Sequence, residues 1–344
     1  MRYFAGANTY GGFVSLFDKA IKDAENVCIL KGTSGCGKST FMRKIGEEAE
    51  KRGYECDYIL CSADPFSLDG VIIKEMSLAV VDGTPPHVME PKYPLAKETL
   101  VDLSTFINEN KVKARREEVI SLIDKKREKY TSAYNLLAAC KEAEYALSSL
   151  EERYFDRDLS AKKALSIVRD LSLFGGEEKE ILTYAFNSEG LFVLKAFDEA
   201  ENAYILKGSP VFKKLFMRDV VFAAHELGAS FVKMPDPLDL SSPAAVYFKD
   251  SASLVCAYPE IPSENAKKIR SINVNNLASP DVKNIKLREN NIKKLYSELL
   301  SSAKDELEIA KEYHSQLEKI YVSAADFGAL SSFTENYIKK LFRE

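Results

Sequence analysis

Residues 26–40 read Asn26-Val27-Cys28-Ile29-Leu30-Lys31-Gly32-Thr33-Ser34-Gly35-Cys36-Gly37-Lys38-Ser39-Thr40. An apolar run of strand length, 27–30, leads into a glycine-rich turn. Phe41, Met42, Ile45 and Ala49 then recur at helical spacing over 38–52, with Glu and Lys on the opposite face. The turn itself, residues 32–39, fits G-x-x-x-x-G-K-[ST], the Walker A phosphate-binding pattern. Cradling a triphosphate takes several backbone N–H groups pointing inward, in conformations that glycine permits. The first turn of the following helix adds partial positive charge. Gly32, Thr33, Ser34, Gly35, Cys36, Gly37, Lys38, Ser39 and Thr40 are therefore the candidate phosphate contacts. Lys38 would neutralise the β- and γ-phosphates, the Ser39 hydroxyl would ligate Mg²⁺, and Thr40 would cap or pack the first helical turn. Lys38 is expected to stand exposed before nucleotide binds.

Two further strands are predicted, over 54–60 and 77–82, so that strand, helix and strand form a βαβ unit in a mainly parallel sheet. The third strand ends on Asp82, which fits a Walker B carboxylate holding Mg²⁺ through water. Gly83 follows where many ATP hydrolases place a glutamate base, so the motif itself identifies no base. Asp64 and Asp69 lie in the segment 61–70, read as a loop at the ligand-binding edge of the sheet. Either would orient water or an acceptor hydroxyl, or else serve as a turn residue. His87 stands on the same edge, as a γ-phosphate sensor or as loop packing.

The stretch recurs. Residues 19–32 and 195–208 are identical at nine of fourteen positions without a gap, including Ile29-Leu30-Lys31-Gly32 against Ile205-Leu206-Lys207-Gly208. Phe41-Met42-Arg43 returns as Phe216-Met217-Arg218 after a one-residue deletion, and Gly53 as Gly228. The chain is a tandem duplication, but the second loop has lost its chemistry. Phe212 replaces Gly37, Lys213 aligns with Lys38, Lys214 replaces Ser39, and Pro210 removes an N–H donor. The segment matching Asp82 offers no carboxylate. Lys207 and Lys213 retain the means to hold an anion, while the expected role of this half is structural or regulatory.

Beyond about residue 108 long helices take over. Tyr130, Ala133, Leu137, Cys140, Leu147 and Tyr154 form one apolar seam, interrupted by Glu144 and Glu151. Ile292, Leu295, Leu299, Ala303, Leu307, Ala310, Tyr313, Leu317 and Ile320 form its counterpart. Gly175-Gly176 marks the junction of the halves. The expected division is 1–107, a core with an intact Walker A loop; 108–178, helical; 179–262, a degenerate core; and 263–344, helical. The fold class is α/β, a duplicated P-loop NTPase-like parallel-sheet core, each copy followed by a long helical segment.

The 344 residues carry 48 Lys and Arg against 52 Asp and Glu, a net charge of −4, which speaks against a broad nucleic-acid surface. Arg115-Arg116 and Lys125-Lys126-Arg127 interleave with glutamates and read as a solvated, ion-paired helix face. The six cysteines show no C-x-x-C pair. Neither a membrane-length apolar run nor a signal-peptide pattern is present, so a cytoplasmic location is expected.

Phe4-Ala5-Gly6-Ala7-Asn8-Thr9, the loop itself, Cys61-Ser62-Ala63-Asp64-Pro65-Phe66-Ser67-Leu68-Asp69-Gly70, and Val80-Val81-Asp82-Gly83-Thr84-Pro85-Pro86-His87 with Pro91-Lys92-Tyr93-Pro94 carry a resemblance. The chain resembles a bacterial family of tandem-repeat P-loop ATPases within the P-loop containing nucleoside triphosphate hydrolase superfamily, found mainly among spore-forming Gram-positive relatives. The resemblance implies ATP binding and hydrolysis with Mg²⁺, and no substrate or pathway. Relatives can carry a complete second loop; this chain departs there. The expected function is Mg-ATP binding and hydrolysis by the first half, coupled to movement of the helical segments, through which a protein partner would dock. A small-molecule or nucleotide kinase, and a nucleotide-gated interaction protein with little turnover, stay open as alternatives.

Overall fold

A computed structural model of the chain describes residues 1–173 and 175–342. These fall into two compact units, one of residues 1–7, 13–133 and 304 onward, the other of 8–12 and 134–303. The first half of the sequence runs β1 (Arg2–Phe4), β2 (Gly6–Thr9), β3 (Gly12–Ser15), the one-turn α1 (Phe17–Ala20), β4 (Asn26–Lys31), α2 (Lys38–Lys51), β5 (Cys56–Leu60), β6 (Leu68–Ile73), β7 (Leu78–Asp82) and β8 (Glu98–Asp102). Helices α3 (Glu109–Lys113), α4 (Arg116–Glu151) and α5 (Arg157–Leu171) complete it. The second half repeats the plan with β9 (Glu178–Glu180), β10 (Tyr184–Asn187), β11 (Gly190–Val193), β12 (Asn202–Lys207), α6 (Pro210–Glu226), β13 (Phe231–Pro235), β14 (Pro243–Phe248), β15 (Ser253–Cys256), β16 (Lys268–Asn273), α7 (Lys286–Ala324) and α8 (Phe327–Leu341).

The two six-stranded sheets have one topology. The first is ordered β1-β5-β6-β7-β4-β8, and the second, read from its other edge, β9-β13-β14-β15-β12-β16. In the first, β4 pairs in parallel with β7 and β8, and β1 with β5. Strand β6 runs antiparallel to both of its neighbours. The expected parallel sheet therefore holds around β4, but the loop reading of 61–70 is corrected at its end, where Leu68, Asp69 and Gly70 begin β6. Gly70 is needed there because a Cβ would lie 2.9 Å from Ile59 on the neighbouring strand.

Strand β4 is buried on both faces, which explains its unbroken apolar run. Val27 and Ile29 pack with Ala79, Val81, Ile59 and the α1 residue Phe17. On the other face Cys28 meets the hydroxyl of Tyr337 on α8, 3.4 Å away. Phe41, Met42, Ile45 and Ala49 of α2 are buried as their spacing predicts.

The helices do not stay with the half that precedes them in sequence. Helix α8, from the end of the chain, packs on α2, with Phe333 stacked at 6.2 Å from Phe41 and 5.3 Å from Phe106. In the second unit α5 packs on α6, where the Ser160 hydroxyl donates to Asp219. The compact units thus cut across the four consecutive segments, and β16 lies within 263–344. Helix α4 has 36 residues and α7 has 39, lengths of about 54 and 58 Å. In the first unit Val119 and Leu122 of α4 pack against Leu317 and Ile320 of α7. Two details differ from expectation: Leu295 is half exposed, and Tyr154 lies past the end of α4. Gly175-Gly176 does separate the repeats, but it is folded into the second unit, both N–H groups donating to the Gly228 carbonyl. No described helix is long and apolar enough to cross a membrane.

Phe333 anchors α8 through three aromatic neighbours. Phe333→Ala is expected to cost about 2–3 kcal/mol, read as a lower midpoint in denaturant titration.

Candidate functional site

Residues 32–39 connect β4 to α2, and Gly37 is the N-cap of that helix at φ 92°, a left-handed conformation suited to glycine. No side chain caps α2, so its first N–H groups are left to a ligand or water. The Lys38 ammonium folds back over the loop, donating to the Thr33 carbonyl at 2.9 Å and lying 3.6 Å from Asp82 Oδ2. Its side chain is only 11 % exposed, which corrects the expectation of an exposed lysine: the loop carbonyls and Asp82 hold its charge. The buried Thr33 hydroxyl has no hydrogen-bond partner. Ser39 Oγ accepts from the Leu68 N–H at 2.9 Å and so is held at the β6 end of the site. Thr40 is exposed and caps nothing, a correction to its expected role. Cys36 is buried, its Sγ 3.9 Å from the Lys38 ammonium.

Strand pairing explains the acids. Gly70 lies opposite Val81 in the β6–β7 ladder, so the preceding Asp69 is brought beside Asp82. Asp82 Oδ1 accepts from the N–H and hydroxyl of Thr84, at 2.9 and 2.6 Å. Burial first, then the Asp82 charge, pushes the Asp69 carboxyl up to about 7. Asp64 is exposed and makes a turn with Phe66 and Ser67, so its bland reading fits the geometry. Gly83 has a packing reason: a Cβ there would lie 2.4 Å from Ile29, leaving no room for a glutamate at this position. The ring of His87 is buried, stacked on Phe17 at 4.8 Å, with Nε2 4.0 Å from Asp69 Oδ2.

Sequence reasoning missed what the helices contribute. Glu318 and Val322 of α7 stand where a Cβ on Gly35 would come within 2.8 Å, and Leu330 of α8 stands 2.5 Å from one on Gly37. His314 on α7 keeps much of its surface accessible. Crowding by the protein and then the ammoniums of Lys126 and Lys38 nevertheless hold its imidazole down at about 4. Lys126 also departs from the solvated face assigned to its cluster. Arg115 and Arg127 do pair with Glu118 and Asp124, whereas Lys126 is half-buried and burial lowers its pKa. A seam of charged residues gives no periodicity by which these side chains would stand out.

The second half shows the same framework with the anion built in. Ser209 caps α6, its Oγ accepting from the Val211 N–H at 3.1 Å and donating to the carboxylate of Glu151. Glu151 is fully buried and has the Lys293 ammonium 3.5 Å away. Lys213 donates to the Ala257 carbonyl at 2.7 Å, the position corresponding to Asp82. Lys214, in place of Ser39, is paired with Glu144 and with Asp239. Phe212 is a core residue, 1 % exposed and stacked on Phe155. The glutamates that interrupt the α4 seam are thus the partners of the degenerate loop.

No family model matches this chain, and neither a curated protein nor a solved structure is similar to it at a significant level.

Burial raises the Glu151 pKa against the opposing pull of Ser209 and Lys293. The folded chain therefore holds a proton longer than the unfolded one, and stability falls as pH rises just above the ordinary carboxylate range. Glu151→Gln, still able to accept from Ser209, is expected to flatten that fall and to be at least as stable as the parent at neutral pH. Denaturant midpoints of both proteins across acidic to neutral pH would check it.

Proposed function

We propose that the first half binds Mg-ATP through residues 32–39 and hydrolyses it, and that the second half holds no nucleotide. The carrying observation is the contrast between twin helix starts. The N-terminus of α6 is answered by Ser209 and the buried carboxylate of Glu151, while that of α2 has Gly37, no side-chain cap, and the Lys38 ammonium beside it. A phosphate chain supplies what Glu151 supplies in the other half.

In this reading Gly32, Gly35 and Gly37 shape the loop, and backbone N–H groups from Thr33 to Ser39 turn to the β-phosphate. Lys38 leaves the Thr33 carbonyl for the phosphates. Mg²⁺ fits Ser39 Oγ, which accepts from the Leu68 N–H, and Asp82 Oδ2, which lies 3.6 Å from the Lys38 ammonium. When bound it would screen phosphate charge. Lys126 is half-buried on the helical side, its ammonium close enough to add, with that of Lys38, to the lowering of the His314 pKa by burial. It would be the further cation to meet the terminal phosphate. Asp69, pushed up to about 7, is the carboxylate best placed to accept a proton from attacking water. Phosphoryl transfer to an acceptor hydroxyl uses the same groups, so a kinase reading differs only in what reaches Asp69. No N/T-K-x-D guanine-reading motif follows Asp82 in the sequence, which favours adenine over guanine.

Gly35 and Gly37 touch α7 and α8 inside the first unit, so rearrangement of the loop around phosphate must be felt by those helices. A non-hydrolysable ATP analogue is expected to change hydrogen exchange over 314–330 as well as over 32–39. Protection confined to the loop would remove the switch part of the proposal.

Lys38→Met keeps the buried stem packed and removes the charge. It is expected to weaken binding of a fluorescent ATP analogue by about a hundredfold, about 2.7 kcal/mol. Lys213→Ala should leave that affinity within about twofold. Equal losses in both variants would overturn the one-site reading, and phosphate release assayed with and without an acceptor separates hydrolysis from transfer.

A further inference from the structure

His87 poses a problem that nucleotide binding does not solve. Its ring is 6 % exposed, and neither Nδ1 nor Nε2 has a hydrogen-bond partner. A buried polar atom left in this state destabilises the fold. The position is nevertheless well defined: the turn from Thr84 to His87 closes with a 3.1 Å backbone hydrogen bond, and Phe17 stacks on the ring. What the ring meets is a pair of acids. One ligand atom each from Asp69, Asp82 and His87 all lie within 4.8 Å of one another.

We propose that Asp69, Asp82 and His87 form a site for a divalent transition ion, one that loads in the absence of nucleotide. With both carboxylates ionised, they and a neutral imidazole would set two negative charges against a divalent cation. Ligand edges around a six-coordinate ion are about 3–4 Å. The three atoms need only small side-chain rotations to reach it. The donor set also selects the metal. Oxygen donors alone suit Mg²⁺, whereas imidazole shifts preference towards Mn²⁺, Fe²⁺ and the later ions. Asp69 and Asp82 are fixed by the strand ladder and His87 by its turn, so the ligands stand ready without phosphate. The ion would sit beside Lys38, which lies 3.6 Å from Asp82 and can turn away to the Thr33 carbonyl it already contacts. The proposal shares Asp69 and Asp82 with the nucleotide reading but does not depend on it.

The test uses the full chain, freed of metal and nucleotide, titrated with Mn²⁺ while free Mn²⁺ is followed by electron paramagnetic resonance. One ion per chain is expected, retained against about a hundredfold excess of Mg²⁺, with pulsed spectra showing coupling to an imidazole nitrogen. His87→Ala should abolish the nitrogen coupling. Asp69→Asn, nearly isosteric and suited to folding, should weaken Mn²⁺ binding about tenfold or more. Absence of Mn²⁺ binding without nucleotide, displacement by equal Mg²⁺, or bound Mn²⁺ lacking nitrogen coupling would each overturn the site. ATP-analogue binding is measured on the same samples. Its persistence while Mn²⁺ fails would remove the metal site alone, and the converse would remove the nucleotide reading alone.

Discussion

A helix that starts inside a protein leaves N–H groups and a positive end that something negative must meet. That requirement arises twice in this chain, at α2 and α6, on the same sheet plan and after the same Ile-Leu-Lys-Gly strand end. The two starts meet it differently. At α6 the chain spends a serine and a buried glutamate on it. At α2 it keeps glycine and lysine, and the lysine is held by carbonyls and one aspartate. Much of the divergence between the halves follows from this difference, including Phe212 in the core and Lys214 between two acids.

The solution at α6 is costly to undo. Glu151 has no exposed surface, and its pKa is raised by burial even with Ser209 and Lys293 beside it. Removing either partner would leave a buried charge uncompensated, which costs more than the pair contributes. A ligand would have to displace a covalently tethered carboxylate, with Phe212 filling the space beside the loop. The site at α2 has the opposite balance. On the proposed reading Lys38 would exchange the Thr33 carbonyl for phosphate, with its stem already in place.

What could be read from the sequence was whatever a local pattern encodes. The apolar run of β4, the period of α2 and the repeat at 195–208 all appear where expected. Strand direction was not legible. The residues Leu68 to Ile73 are equally compatible with a loop end or a strand, and only pairing with both β5 and β7 makes them antiparallel. That error left Asp69 undistinguished from Asp64, since its burial beside Asp82 comes from the ladder. The placing of α5 and α8 was likewise invisible, since apolar faces show that a helix packs and not on which partner. Glu144 and Glu151 looked like flaws in a seam because their partners are 70 and 58 residues away. Lys126 was masked by neighbours that really are solvated.

The same logic bears on the aspartates at the β6 and β7 edge. A lone Lys38 can neutralise one carboxylate, and Asp82 already has the two Thr84 donors besides. Asp69 has the Cys61 thiol and the more distant Lys38 charge on its side, yet burial and the Asp82 charge outweigh them and push its carboxyl up to about 7. A strand edge that pairs Asp69 with the unsatisfied His87 imidazole is short of positive charge, while the start of α2 beside it has no side-chain cap. On the proposed reading a metal-bound triphosphate would supply both. Neither deficit is found at the corresponding edge of the second half, where Ala244 and Ala257 stand at the positions of the two aspartates, and the absence of the acids there goes together with the presence of Glu151.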